Sequence, residues 1–336
     1  MSKAFFTTVT RIADVESNGF DVAPLPHSDW ATGDYVMCEV QGRPGPLYVI
    51  ERPSGRACQV FDGDLVVGAL GVRAATLEGV GDWRAVGEDG AMHALTGAGL
   101  FGFATSVSPL LPPLMNLQYK GHLMRDGKLT MRGFCSPVAH RELDIPVILL
   151  IGTSMSSGKT TSGRVIVHEL AQMGLKVAAA KLTGAARFRD MLSWKDAGAA
   201  QVFDFVDVGL PSTVCPSAKF SELLGELLSK IAATEPDVLV AEAGASPLEP
   251  YNGSVAMEMI DPNVRMMVLC ASDPYAVLGV QHAFGREPDL VCGPAANTEA
   301  AVELVGKLCG VPALNLMRRR ARPALRDMLK DRMNLG

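Results

Sequence analysis

The stretch Val147-Ile-Leu-Leu-Ile-Gly-Thr-Ser-Met-Ser-Ser-Gly-Lys-Thr-Thr161 constrains this chain more than any other. Val147 to Ile151 are apolar without a break, the pattern of a strand buried on both faces of a parallel sheet. Small residues follow, and Gly158-Lys159-Thr160 closes them. From Thr161 to Gln172 the apolar period becomes helical, with Val165, Ile166 and Leu170 to one side. Strand, small-residue loop and helix, with Gly-Lys-Thr at the turn, is an arrangement that cradles phosphate. The amides of Gly152, Thr153, Ser154, Met155, Ser156, Ser157, Gly158, Lys159, Thr160 and Thr161 are the candidate cradle. Such a loop admits an anion only if its side chains stay clear, hence Gly and Ser. Lys159 adds a mobile charge for β- and γ-phosphates, and the Thr160 hydroxyl is placed for Mg²⁺. Five residues separate Gly152 from Gly158 where the common motif has four, so Thr153 stands at the usual first-glycine position.

At 336 residues the chain is long enough for two domains of about 100–200 residues each. It is 48% hydrophobic and 20% charged, so it can bury sizeable cores. The net charge of −5, with no long basic stretch before the C-terminus, gives no nucleic-acid footprint. Seven cysteines are scattered without a C-x-x-C pair and read as reduced, mostly buried thiols of a cytosolic protein. The first residues lack the apolar core of a signal peptide, and no apolar run approaches the roughly 18 residues of a membrane span. The expectation is a cytoplasmic protein that engages no membrane.

Residues 1–140 read as a β-rich domain, a small barrel or sandwich of illegible role. Short apolar runs at Tyr35 to Val40, Leu47 to Ile50, Ala57 to Phe61 and Leu65 to Val67 alternate with Gly, Pro and Asp. Asp62-Gly63-Asp64 is a hairpin-type turn signal. Gly97-Ala-Gly-Leu-Phe-Gly102 fits the dinucleotide pattern G-x-G-x-x-G, but prolines at 109, 112 and 113 leave no clear helix to begin there. Glycines at strand bends are the better reading. Arg73, His93, Tyr119 and His122 are the polar residues here that can face a ligand; ordinary surface or satisfied interior positions are the better reading for each.

Ser136-Pro-Val-Ala-His-Arg-Glu-Leu-Asp-Ile-Pro146 reads as a linker, and residues 141–336 as an α/β domain. Val177 to Ala180, Val238 to Ala241, Val264 to Cys270 and Leu290 to Cys292 are strand patterns. Phe220 to Ile231 is helical with Ser217 as its expected cap, and Glu299 to Leu308 is a second helix. Alternating strands and helices imply a mostly parallel sheet flanked by helices, with ligands at the carboxyl ends of the strands. The tail Met317-Arg-Arg-Arg-Ala-Arg-Pro323 precedes a helix with Leu325, Met328 and Leu329 inward, and its arginines read as a solvated face.

Lys181 closes the strand from Val177 and Glu242 the strand from Val238. Beside a phosphate loop, a carboxylate at a strand end is where Mg²⁺ is held, directly or through water. Asp190, Asp196, Asp204 and Asp207 lie between the two strands and are further candidates for the metal.

Gly152-Thr153 followed by Gly158-Lys159-Thr160 resembles the G-T-x-x-x-x-G-K-T loop of dethiobiotin synthetase and its P-loop relatives, the cobalamin amidoligases and MinD-like ATPases. Lys181-Leu-Thr-Gly184, Lys195-Asp196-Ala197 and Ala241-Glu242-Ala-Gly-Ala245 are similar to that family's K-P-x-x-x-G, S-D-A and V-E-G-A-G segments, without the proline. The resemblance implies Lys159 on the phosphates, Thr160, Asp196 and Glu242 on Mg²⁺, and Lys181 toward substrate and γ-phosphate. Relatives are often dimers, which implies a homo-oligomer. Glu242-Ala-Gly-Ala-Ser-Pro-Leu-Glu-Pro250 and Asp204-Phe-Val-Asp-Val-Gly209 also resemble segments of a two-domain P-loop family identified with D-glutamate N-acyltransferases, whose histidine is Glu249 here. That resemblance covers about residues 146–300, and that family's Rossmann-like first domain is not what residues 1–140 suggest.

The expected function is an Mg-ATP-dependent enzyme that activates a small carboxylate or amino acid by phosphoryl transfer, as an amide-forming ligase. Lys159 and Lys181 are the catalytic candidates, and ATP and Mg²⁺ the cofactors. The alternatives are an N-acyltransferase whose loop grips acyl-CoA phosphates, and a nucleotide-switched binding protein of the MinD-like kind. No Ser/His/Asp or Cys/His set competes with this reading, and phosphoryl transfer needs charge and alignment more than a protein nucleophile.

Overall fold

The computed structural model describes residues 4–42, 49–244 and 246–334. The chain forms two compact units. One comprises Met1–Pro137 with Ala185–Arg189 and Asp204–Cys215; the other comprises Val138–Gly184, Asp190–Phe203 and Pro216–Gly336.

Strands β1 (Ala4–Phe6), β2 (Asp21–Ala23), β3 (Tyr35–Gln41), β4 (Val49–Glu51), β5 (Ala57–Gln59) and β6 (Leu65–Leu70) open the first unit. They are followed by β7 (Val72–Ala75), β8 (Gly79–Asp82), β9 (Ala91–Thr96), β10 (Leu100–Val107) and β11 (Met115–Met124). β6, β3, β11, β9 and β10 are joined in that order, and Leu100 and Phe101 pair with Ala69 and Leu70 to bring β10 back to β6. The sheet therefore closes into a small barrel, which removes the open edges of these strands. Alternate residues point inward, so Val36, Cys38 and Val40 of β3 meet Val66, Met92, Phe101 and Leu117 in one core.

Of the sequence expectations here, one is adjusted, one falls partly outside the described residues, and the reading of Gly97–Gly102 as glycines at strand bends agrees with the structure. Asp62-Gly63-Asp64 does turn, but its flanking strands do not pair: β5 pairs with β4, and the Gly63 N–H donates to the Val40 carbonyl. In the run from Leu47 to Ile50, Leu47 and Tyr48 lie outside the described residues, and Val49 begins β4. Gly97–Gly99 is the turn joining antiparallel β9 and β10, not a strand-to-helix turn. Gly99 has φ +100, and a Cβ there would lie 1.9 Å from Thr7 Oγ1.

His93, Tyr119 and His122 are satisfied within the fold. His93 Nδ1 accepts from the Ala104 N–H at 3.2 Å. A register shift in β11 between Tyr119 and Gly121 turns Tyr119 and His122, three apart, toward each other. The Tyr119 hydroxyl lies 2.6 Å from His122 Nδ1, and His122 Nε2 lies 3.2 Å from Asp34 Oδ2, which also takes Lys128 at 2.8 Å. Since His122 and Asp34 are fully buried, His122→Leu is expected to cost about 1–3 kcal/mol by stripping Asp34 and Tyr119 of a partner. A lowered thermal midpoint in scanning calorimetry is the check, and an unchanged midpoint sinks the idea.

Asp204 and Asp207 also belong to this unit. Arg11 Nη2 donates to both, at 2.8 and 2.7 Å, and its guanidinium lies 4.3 Å from the Phe188 ring centroid. They are therefore structural partners of an arginine, which answers the expectation that either joins a metal.

The second unit contains β12 (Val147–Gly152), α1 (Lys159–Gln172), β13 (Val177–Thr183), α2 (Phe188–Asp196), β14 (Gln201–Asp204) and α3 (Ser217–Ala232). It continues with β15 (Val238–Ala243), α4 (Gly253–Ile260), β16 (Val264–Cys270), α5 (Pro274–Phe284), β17 (Leu290–Cys292), α6 (Glu299–Cys309) and α7 (Arg322–Met333). α2 and β14 run across the boundary between the units. The sheet order is β14-β13-β15-β12-β16-β17, and the pairings of β12 with β15 and β16, β13 with β15 and β16 with β17 are parallel. All of β12, β13 and β15 is buried, which explains why their sequences are unbroken apolar runs up to the strand ends. In α3, Phe220, Leu223, Leu224, Leu227, Leu228 and Ile231 form the buried stripe. Ser217 is not its cap: Pro216 holds that place, and the Ser217 hydroxyl donates to Asn252.

In α7, Leu325 and Leu329 are buried as expected. Its arginines are not merely a solvated face. Arg322 and Arg326 both bond Glu169, a buried carboxylate on α1. No described helix is long and apolar enough to cross a membrane.

Candidate nucleotide-binding site

β12 lies between β15 and β16, and its loop emerges at the carboxyl end of the sheet, where strand order departs in two directions. Gly152 still pairs with Cys270 at the strand end. The Thr153 N–H then donates to the Cys270 carbonyl, and Thr153 Oγ1 accepts from the Ser272 N–H, both at 3.2 Å. Thr153 thus ties the loop to β16. The position that must lack a side chain is Gly152 instead: a Cβ there would lie 2.3 Å from Ser157 Oγ and 2.6 Å from Lys159 Nζ. The lysine stem doubles back over this glycine. That is the physical reason for the displaced spacing between the two glycines.

Ser156 and Gly158 take left-handed conformations at φ +63 and +96. The bend delivers α1 with Lys159 as its first residue. Lys159 Nζ donates to the Ser154 carbonyl at 2.8 Å and to Ser157 Oγ at 3.4 Å. Lys159 is only 4% exposed. Burial holds its ammonium below the usual lysine range, opposed by the Glu242 carboxylate. The Thr160 hydroxyl donates to Glu242 Oε2 at 3.3 Å. Gly293 packs against the loop so closely that a Cβ would lie 2.4 Å from the Ser157 carbonyl oxygen. The C-terminal unit has the P-loop α/β fold.

Lys181 and Glu242 are register partners across β13 and β15. Lys181 Nζ lies 3.3 Å from Asp190 Oδ2, both side chains being largely buried. Two pairs of opposite polarity, Thr160–Glu242 and Lys181–Asp190, therefore stand next to each other at the strand ends. Lys159, Thr160, Lys181 and Glu242 lie together at the strand ends. Asp196 is not brought to them: it is the exposed last residue of α2, about 9 Å of helix beyond Asp190. Glu249 accepts from the Ser246 N–H at 2.7 Å and closes the turn after β15. Ala245 lies outside the described residues.

Sequence reasoning missed Trp194. Its Nε1–H donates to the Thr160 carbonyl at 2.7 Å, and the side chain is wholly buried. Met191 and Trp194, three apart in a helix that also carries Arg189, Asp190, Lys195 and Asp196, were the available signal.

No protein-family model matches the chain, and no curated protein matches it. Solved structures similar to part of it include chloroplast FtsY from Physcomitrella patens, at 13% identity and a TM-score of 0.36, over 53% of this chain and 59% of that one. A DUF1611 family protein from Anabaena variabilis is 16% identical with a TM-score of 0.34, over 60% of this chain and 62% of that one. The signal recognition particle 54 kDa protein from Aeropyrum pernix K1, in complex with GDP, is 12% identical with a TM-score of 0.37, over 60% of this chain and 51% of that one. This chain thus spans about half to three-fifths of the length of each structure.

Proposed function

We propose that the C-terminal unit binds Mg-ATP and transfers its γ-phosphoryl group to the carboxylate of a small acid or amino acid, as the first step of amide formation. The observation that carries this reading is the Thr160–Glu242 hydrogen bond at 3.3 Å, beside a lysine folded over Gly152. A hydroxyl and a carboxylate at one point are hard oxygen donors of the kind Mg²⁺ takes, and they fit that ion. Bound there with the nucleotide, Mg²⁺ would supply charge neutralisation and alignment of the β- and γ-phosphate oxygens.

Thr160 and Glu242 hold the cation side of the site. Lys159 moves its hydrogen bonds from the Ser154 carbonyl to phosphate oxygens, which returns a buried charge to an ionic partner. Lys181 offers a second positive charge to the substrate carboxylate and to the γ-phosphate, with Asp190 beside it. The carboxylate oxygen bonds to the γ-phosphorus as the bond to ADP breaks. An amine then attacks the acyl carbon, inorganic phosphate leaves, and one proton is released. None of these steps needs a nucleophile from the protein; they need positioned charge.

Two measurements test this. Isothermal calorimetry with Mg-ATP, Mg-GTP and acetyl-CoA should give heat with a Mg-nucleotide, ATP foremost. Stabilisation by acetyl-CoA alone would replace this reading with the acyltransferase one. ADP release across a panel of amino acids and dicarboxylates should rise for one chemical class. Binding without turnover anywhere in the panel removes the transfer step.

A further inference from the structure

We propose that Trp194 is a positioning residue for Thr160, and that helix α2 mechanically couples the Lys181–Asp190 pair to the Thr160–Glu242 pair. This rests on the nucleotide-binding reading above and concerns how that site is regulated.

The contacts form a ring. Glu242 accepts from the Thr160 hydroxyl, and the Thr160 carbonyl accepts from the Trp194 indole N–H at 2.7 Å. Trp194 is on the same helix as Asp190, four residues along and so on the same face. Asp190 reaches Lys181 at 3.3 Å, and Lys181 is the register partner of Glu242 across the two strands, which closes the ring. The indole has no freedom to slide. It fills a notch in α1 at Gly163, where a Cβ would lie 2.1 Å from Trp194 Cζ2. Of the nine residues of α2, Met191 and Trp194 are the buried ones, and the Glu51 carboxylate takes the N–H groups of Phe188 and Arg189 at the start of the helix, at 2.7 and 3.3 Å.

A short helix held this way shifts as one piece. An anion that competes with Asp190 for Lys181 removes one of the contacts that set the position of α2, while Glu51 keeps hold of its first residues. The change is felt at the Thr160 carbonyl through Trp194, and so at the hydroxyl that serves the cation. Lys181 is thereby joined to the metal side of the site without touching it. Coupling of this kind is reciprocal, so Mg-nucleotide binding also changes how firmly Asp190 holds Lys181.

The test is a double-mutant cycle read by the affinity for ADP, measured calorimetrically in Mg²⁺ and in EDTA. Asp190→Asn mimics release of the pair, and Trp194→Phe keeps the ring but removes the N–H. In the Trp194 background, Asp190→Asn should change Mg-ADP affinity by roughly fivefold or more. In the Trp194→Phe background the same change should have less than about a twofold effect. Trp194→Phe alone should lower affinity in Mg²⁺ and leave that in EDTA unaltered. A merely structural tryptophan would weaken both. Equal Asp190→Asn effects in both backgrounds overturn the coupling, and equal losses in Mg²⁺ and EDTA overturn the positioning role. If Trp194→Phe does not melt cooperatively, 3-benzothienylalanine at the same position removes the N–H at nearly constant volume. A wild-type chain that binds no ADP under either condition overturns the nucleotide reading itself, and this inference falls with it.

Discussion

Lys159→Met is expected to weaken Mg-ATP binding roughly 100-fold, about 3 kcal/mol, the upper share of one charged hydrogen-bonding group. The nucleotide-free protein should meanwhile be at least as stable as wild type. The two effects have opposite sign for one reason. Lys159 is 4% exposed, and its ammonium faces a backbone carbonyl and a serine hydroxyl rather than a direct carboxylate partner. Burial penalises that charge. A methionine keeps most of the stem and removes the penalty, but gives the phosphates nothing.

The pH dependence follows in sign. The folded-state value of Lys159 is depressed below the usual 10.5, so the unfolded chain binds more protons in the window between them. The cost of the buried charge is fully present below that window and fades as pH rises through it. The wild type should therefore close on Lys159→Met in thermal midpoint as pH rises through that window toward 10.5. A variant less stable than wild type at neutral pH, or one that binds Mg-ATP normally, overturns this account.

Replacing Arg322 and Arg326 together by alanine is expected to destabilise the C-terminal unit by about 2–3 kcal/mol. Glu169 is wholly buried on α1, and both described charge partners lie on α7. Removing them strands a carboxylate in the interior, for which about 3–5 kcal/mol is the usual cost. The arginine side chains are 36% and 47% exposed, so water screens them and the figure is reduced. A fall in thermal midpoint of about 4–10 °C is the corresponding signal. Glu169→Leu in the same background should recover most of the loss, because an apolar side chain there needs no partner. An additive further loss from Glu169→Leu would show that the carboxylate is not the source of the strain.

The N-terminal barrel was legible only as a class. Its strands are short, and the turn at Asp62-Gly63-Asp64 joins strands that pair elsewhere, because pairing is decided by closure through β6 and β10 rather than by sequence neighbours. The tail arginines read as solvated because nothing local to Arg322 reveals a buried glutamate 153 residues earlier. Asp196 stood out through a short motif, while Asp190, six residues before it, is the carboxylate beside Lys181. Motif spacing does not report which turn of a helix faces a strand.

The sequence by itself determined the strand, loop and helix around Lys159, and the strand ends at Lys181 and Glu242. Those features are local: an apolar run, a left-handed glycine and a charged residue near a strand's end specify themselves. Only the tertiary structure decided that Gly152 serves as the cleared position and that Asp204 and Asp207 serve Arg11 instead of a cation. It alone placed an indole on α2 against the carbonyl of Thr160. Those are contacts between segments far apart in the chain, fixed by packing volume and strand order, which no window of neighbouring residues contains.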